Sequence, residues 1–93
     1  MSDSKKKFYD RADAHINLSN MQSKTEEMRD VSASMLYGTA RYNAFVFACN
    51  YQNTKDMRED KASAVDYFVG QYKLMIEENI EDYIENFDRY IKR

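Results

Sequence analysis

The chain has 93 residues with a formal net charge of −2 at pH 7, and this length excludes a second large hydrophobic core. We expect one domain over residues 1–93, with residues 1–5 flexible. Its thirteen aromatic residues supply enough apolar surface to exclude intrinsic disorder. With no proline and two glycines, the sequence lacks the turn signals of β-rich folds, and this predicts an all-α protein.

A first helix is predicted over about residues 4–23, because its apolar side chains recur on one side at 100° per residue. This side carries Phe8, Tyr9, Ala12, His15, Ile16 and Ser19. The following residues, 22–30, have little apolar content and are predicted to form a loop. Asp30 is a suitable N-cap for the next helix.

A second helix is predicted over about residues 31–51, and its apolar residues occupy two arcs of the helical projection. A helix that is apolar on two sides lies between neighbours, so we expect it to be the central helix of the domain. Gly38 and four alanines would let another helix approach closely. The alanines are Ala33, Ala40, Ala44 and Ala48.

A third helix is predicted to begin after an N-cap at Asn53 or Thr54 and to continue to about Tyr90. A straight helix of that length would be roughly 50 Å long, which exceeds the diameter of a small domain. Its apolar residues form two stripes, rotated by roughly 100° from each other. One contains Met57, Ala64, Val65, Phe68, Tyr72 and Met75, and the other Ile76, Ile80, Tyr83, Ile84, Phe87 and Ile91. The rotation predicts either a kink or break near Asn79 or a terminal half that packs on a different partner, such as a second subunit. We expect a three- to four-helix bundle in which this third helix is kinked or broken.

Three segments in order, residues 8–14, 31–45 and 77–87, resemble a family of proteobacterial proteins that is catalogued as a domain of unknown function, DUF3144. The resemblance extends from Phe8 to about Tyr90. It implies a stand-alone, cytoplasmic, all-helical bacterial protein. It brings no activity, ligand or catalytic residue with it.

Arg41 is the single charged residue in the apolar stretch 32–53. An unpaired buried guanidinium costs several kcal/mol, roughly, so Arg41 must reach solvent or a carboxylate. The candidate carboxylates are Asp10, Asp13 and Asp66. The alternative is a site at which Arg41 and Tyr37 bind a small anionic ligand, since a guanidinium binds carboxylates and phosphates in a bidentate manner.

Catalytic chemistry has little support in the sequence. His15 is the only histidine and Cys49 the only cysteine, so a catalytic triad, a histidine and cysteine zinc site and an internal disulfide are all disfavoured. We expect both side chains to be at least partly buried, with Cys49 reduced in the cytoplasm. The sequence therefore predicts a protein that is not an enzyme and that binds no cofactor or metal.

Two charge clusters lie near opposite ends of the chain. Six carboxylates fall within residues 77–88, and they form either a solvated face or a docking surface for a basic partner, such as residues 5–7 of another copy. These six are Glu77, Glu78, Glu81, Asp82, Glu85 and Asp88. The basic cluster is Lys5, Lys6 and Lys7 with Arg11, but a pI near 5.4 makes nucleic-acid binding the weaker alternative.

These observations predict a non-enzymatic, cytoplasmic helical module that binds a protein partner or itself, and a homodimer is one form that self-association could take. The first candidate surface is the apolar set Ile76, Ile80, Tyr83, Ile84 and Phe87. The longest wholly apolar run, residues 44–49, is far shorter than the roughly 20 residues that span a bilayer, so no membrane association is expected. The start of the chain also shows no export signal.

Overall fold

A computed structural model describes residues 2–91, which form five α-helices and no strand. The helices are α1 (Asp3–Gln22), α2 (Met28–Ala48), α3 (Thr54–Glu59), α4 (Lys61–Glu85) and α5 (Phe87–Tyr90). The prediction of an all-α protein with three long helices is confirmed. Of the segment predicted to be flexible, Met1 lies outside the described residues, whereas residues 3–5 are already helical.

The chain divides into two units, Met1–Val46 and Phe47–Arg93. In the first unit, α1 begins because the Ser2 hydroxyl accepts a hydrogen bond from the Lys5 backbone N–H at 3.3 Å. Asp3 in the first turn adds a favourable interaction with the helix dipole. The predicted limits of α1 differ from the observed ones by one residue at each end.

The turn between α1 and α2 is shorter than predicted, since α2 begins at Met28. Asp30 therefore lies in the first turn of α2, and the prediction that it is the N-cap is wrong. Beyond the turn, the Ser19 hydroxyl on α1 donates a hydrogen bond to the Met35 sulfur on α2 at 3.2 Å. Val31, 5% exposed, is the one buried residue among those described.

In the second unit, Asn53 is the N-cap of α3, because its side-chain oxygen accepts from the Asp56 backbone N–H at 2.9 Å. This confirms one of the two caps that the sequence allowed. The predicted third helix is interrupted at Asp60. The Asp60 carboxylate accepts a hydrogen bond from the Tyr51 hydroxyl at 2.6 Å, and it makes no capping bond to α4.

The predicted interruption near Asn79 is not present, since α4 is continuous from Lys61 to Glu85. The Asn79 amide donates to the Met75 carbonyl at 2.8 Å while the helix continues. The helix ends at Asn86 instead. The side-chain amide of Asn86 donates to the Asp82 carbonyl at 3.1 Å and to the Asp82 carboxylate at 2.9 Å, and such bonds compete with continuation of the helix.

The structure does not confirm a bundle packed around α2. An added Cβ at Gly38 would meet nothing within 4 Å, so the close helix approach predicted there is absent from this chain. Cys49 and His15 are exposed, contrary to the prediction that both are at least partly buried.

Candidate interaction surface

The end of the second unit presents a group of exposed apolar side chains, which we call the C-terminal apolar face. Its members are Ile76 (36% exposed), Ile80 (52%), Tyr83 (49%), Ile84 (63%) and Phe87 (49%). The four members on α4 share one side of a continuous helix, because Ile80 follows Ile76 by four residues and is followed by Tyr83 and Ile84 at three and four residues. Phe87 begins α5, directly after the break at Asn86. All five side chains of the candidate surface are thus exposed, and their role in an interaction stays a prediction.

Contacts between α4 and α5 fix one end of this face. The rings of Tyr83 and Tyr90 lie 4.8 Å apart between centroids, and the Arg89 guanidinium lies 5.6 Å from the centroid of the Tyr90 ring. A hydrogen bond to Asp82, together with the negative charge of that carboxylate, raises the pKa of the Tyr90 phenol. Tyr90 therefore holds α5 against the last turns of α4, and this positions Phe87.

The edge of the C-terminal apolar face is acidic. Glu81 lies about 60° from Ile84 on the helical projection, and Glu85 follows Ile84 directly. Both carboxylates are exposed, and neither forms an ion pair among the described residues. Glu77 differs, since the Lys73 ammonium lies 3.2 Å from its carboxylate. The face thus combines exposed apolar groups with uncompensated negative charge.

The N-terminal half of α1 has the opposite charge. Phe8 and Tyr9 are half-exposed, and their rings meet edge to face with centroids 5.2 Å apart. We call these rings, with the exposed cations around them, the N-terminal basic patch. It consists of Lys5, Lys7, Phe8, Tyr9 and Arg11. Lys6 is excluded because its ammonium pairs with Asp10 at 2.7 Å. No ion pair joins the patch cations to a described carboxylate.

The structure does not assemble the site predicted around Arg41. Asp10 pairs with Lys6, and Asp13 is exposed without an ion pair among the described residues. Arg41 is exposed on α2 and pairs with no described carboxylate, while Tyr37 is also exposed. Arg41 therefore reaches solvent, which was one of the two structural possibilities. Anion binding at Arg41 and nucleic-acid binding at Lys5–Lys7 stay predictions.

One pocket of about 450 Å³ lies at the turn between α1 and α2. It is lined by Gln22, Thr25, Glu26, Asp30, Val31 and Ser34. Two of these residues are acidic and none is basic, so the lining is not suited to an anion. Within residues 2–91, no three histidine, cysteine or acidic side chains are grouped to hold a metal ion. No described helix is both long enough and apolar enough to cross a bilayer.

Two contacts in the second unit were not predicted from the sequence. The Tyr51 hydroxyl bonds the Asp60 carboxylate, and this bond and the negative charge of Asp60 raise the pKa of the Tyr51 phenol. The second is the interaction of Asp82 with Tyr90, which raises the pKa of the Tyr90 phenol. The eight-residue spacing is compatible with one side of a helix, but it does not by itself indicate an interaction across a helix break.

The fold and this surface define a small all-helical protein with exposed apolar faces. The family Protein of unknown function (DUF3144) matches residues 8–84, and the chain belongs to this family, as its motifs predicted. Among solved structures, the NMR structure of the protein NB7890A from Shewanella sp is similar, with 40% sequence identity and a TM-score of 0.78. The match covers 89% of this chain and 88% of that chain. No curated protein matches.

Proposed function

We propose that this protein is a non-enzymatic helical interaction module that associates with itself, and that the C-terminal apolar face is its principal contact surface. The observation that carries the proposal is the exposure of this face. Its five members are between 36% and 63% accessible in the single chain. Contiguous exposed apolar groups of this kind mark interaction sites in folded proteins.

The accessible surface area of the chain supports the same proposal. The chain, with a mass of 11.1 kDa, exposes 8,775 Å², whereas two separate, well-packed units of half this mass would expose about 6,800 Å² together. The chain therefore exposes about 2,000 Å² more than two compact units of this mass would expose. Two copies that cover this area would bury about 4,000 Å² in total, which is typical of obligate homodimers.

The binding free energy that the C-terminal apolar face supplies by itself follows from the apolar groups that it would bury. Complete burial of a large apolar side chain contributes about 1.5 to 3 kcal/mol, so burial of the exposed half contributes about 1 kcal/mol. Ten such side chains, five from each copy, would contribute about 10 kcal/mol. Association costs about 4 to 15 kcal/mol in lost translational and rotational freedom. This face alone thus supports weak association, and a stable dimer needs further apolar or charged contacts.

The oligomeric state tests the proposal directly. Light scattering after size exclusion, with the protein between micromolar and millimolar concentration, should give a mass that rises to that of two chains. A mass of one chain over the whole range would refute self-association. Analytical ultracentrifugation over the same range would supply the dissociation constant that the substitutions below require.

A further inference from the structure

The C-terminal apolar face is poorly suited to contact its own copy. Residues 77–90 contain six carboxylates and one arginine, and hence a net charge of −5. Two such stretches lie side by side if the two faces meet, in either a parallel or an antiparallel orientation. Like charges at close range disfavour a complex and direct it toward a partner of opposite charge. The preferred occupant is therefore basic and apolar together.

The N-terminal basic patch has this combination. Residues 5–11 contain four cations and one carboxylate, and hence a net charge of +3. Lys5 precedes Phe8 by three residues, and Arg11 follows Phe8 by three. Side chains at these spacings are neighbours on a helix surface, so the cations lie beside an exposed ring. The patch thus offers apolar rings for the face and cations for its acidic edge.

We infer that the C-terminal apolar face is covered by the N-terminal basic patch of a second copy of this chain. The inference rests on the proposed self-association. Under two-fold symmetry each copy donates its patch and receives the patch of the other, so the same contact forms twice. Lys5 and Arg11 then lie opposite Glu81 and Glu85, and the rings of Phe8 and Tyr9 pack on the isoleucines.

Charge reversal on each surface tests this pairing. The first variant carries Lys5→Glu and Arg11→Glu, and the second carries Glu81→Lys and Glu85→Lys. Neither weakens its helix through the dipole, since acidic residues are favourable near the start of α1 and basic residues near the end of α4. Circular dichroism of each variant would check that the helical content is retained.

Each variant alone should dimerise at least about tenfold more weakly than the wild type, because four exposed charge pairs change from attraction to repulsion. An equimolar mixture of the two variants should restore dimers. In the mixed pair, one contact retains the original charges and the other has both charges reversed, so both contacts are attractive. Ultracentrifugation measures all three samples.

A control matched to the second variant carries Glu26→Lys and Glu59→Lys, which raise the net charge by the same amount at exposed positions outside both surfaces. It should dimerise like the wild type. If the wild type dimerises but the mixture does not, this pairing is wrong while self-association stands. Equal binding of the Glu81→Lys, Glu85→Lys variant to the wild type and to the other variant would show that two C-terminal apolar faces meet instead, because both of these proteins retain Glu81 and Glu85. A wild type that stays monomeric would refute both proposals.

Discussion

Replacement of Ile80 by alanine gives the most direct measure of the C-terminal apolar face. Ile80 lies at the centre of the face and is 52% exposed in the single chain, so association would bury about half of its side chain. Ile80→Ala removes three carbon atoms. Each fully buried methylene group contributes about 0.8 kcal/mol, and association buries about half of these three carbon atoms. The lost binding free energy is therefore about 1 kcal/mol for each copy, or about 2 kcal/mol for each dimer. The dissociation constant should rise by about 30-fold.

Leu74 supplies the matched control for this substitution. It lies on the same helix with 64% of its surface exposed, but about 120° from Ile80 on the helical projection. Leu74→Ala should leave the dissociation constant within about twofold of the wild-type value, because its side chain points away from the face. Both constants are measured by ultracentrifugation. The reasoning fails if Ile80→Ala has no effect, or if Leu74→Ala weakens the dimer equally.

Three further substitutions test local features of the fold. Gly38→Ala should raise the free energy of unfolding by about 0.5 to 1 kcal/mol, as measured by chemical denaturation, because the added methyl group meets open space and alanine favours helix. A decrease would show that a helix of another copy approaches there. Asn53→Ala removes the cap of α3 and should lower the local stability of this helix by about 1 kcal/mol, so that amide hydrogen exchange at Asp56 becomes about fivefold faster. An unchanged exchange rate would contradict the assignment of Asn53 as the cap. The hydrogen bond to Asp60 raises the pKa of Tyr51 in the folded state, so its contribution to stability is fully present below about pH 10 and is lost as the pH rises through the raised value. The stability difference between wild type and Tyr51→Phe, measured as the urea midpoint, should shrink as the pH rises above about 10, and a constant difference would refute this.

Features that depend on neighbouring residues could be predicted from the sequence. The limits of α1 and the cap at Asn53 follow from the residue types present and from hydrogen bonds that span three or four positions. The position of the helix break could not be predicted in this way. The rotated stripes suggested either a kink or break at Asn79 or a terminal half that packs on a different partner, because periodicity does not identify the neighbour of each stripe. In the structure, α4 is continuous through Asn79 and ends at Asn86, whose side-chain amide bonds Asp82.

The candidate surface likewise combines a feature that the sequence predicts with one that depends on tertiary structure. Periodicity alone placed Ile76, Ile80, Tyr83 and Ile84 on one side of a helix, because spacing along a helix fixes direction. Whether such a side is covered depends on which other elements approach it, and no local pattern encodes that. Arg41 was predicted to reach either solvent or a carboxylate, and the structure leaves it exposed, which no local pattern decides.

The sequence by itself determined that this protein is helical, where its long helices lie and which apolar groups share a side, since backbone hydrogen bonding and helical spacing are local properties. Tertiary structure alone decided that Val31 is buried while Cys49 and His15 are exposed. Burial requires atoms from distant parts of the chain, or from another copy, to displace water. The apolar side chains at the end of α4 therefore lie on one side by sequence, and they are accessible because the other helices of the second unit leave them uncovered.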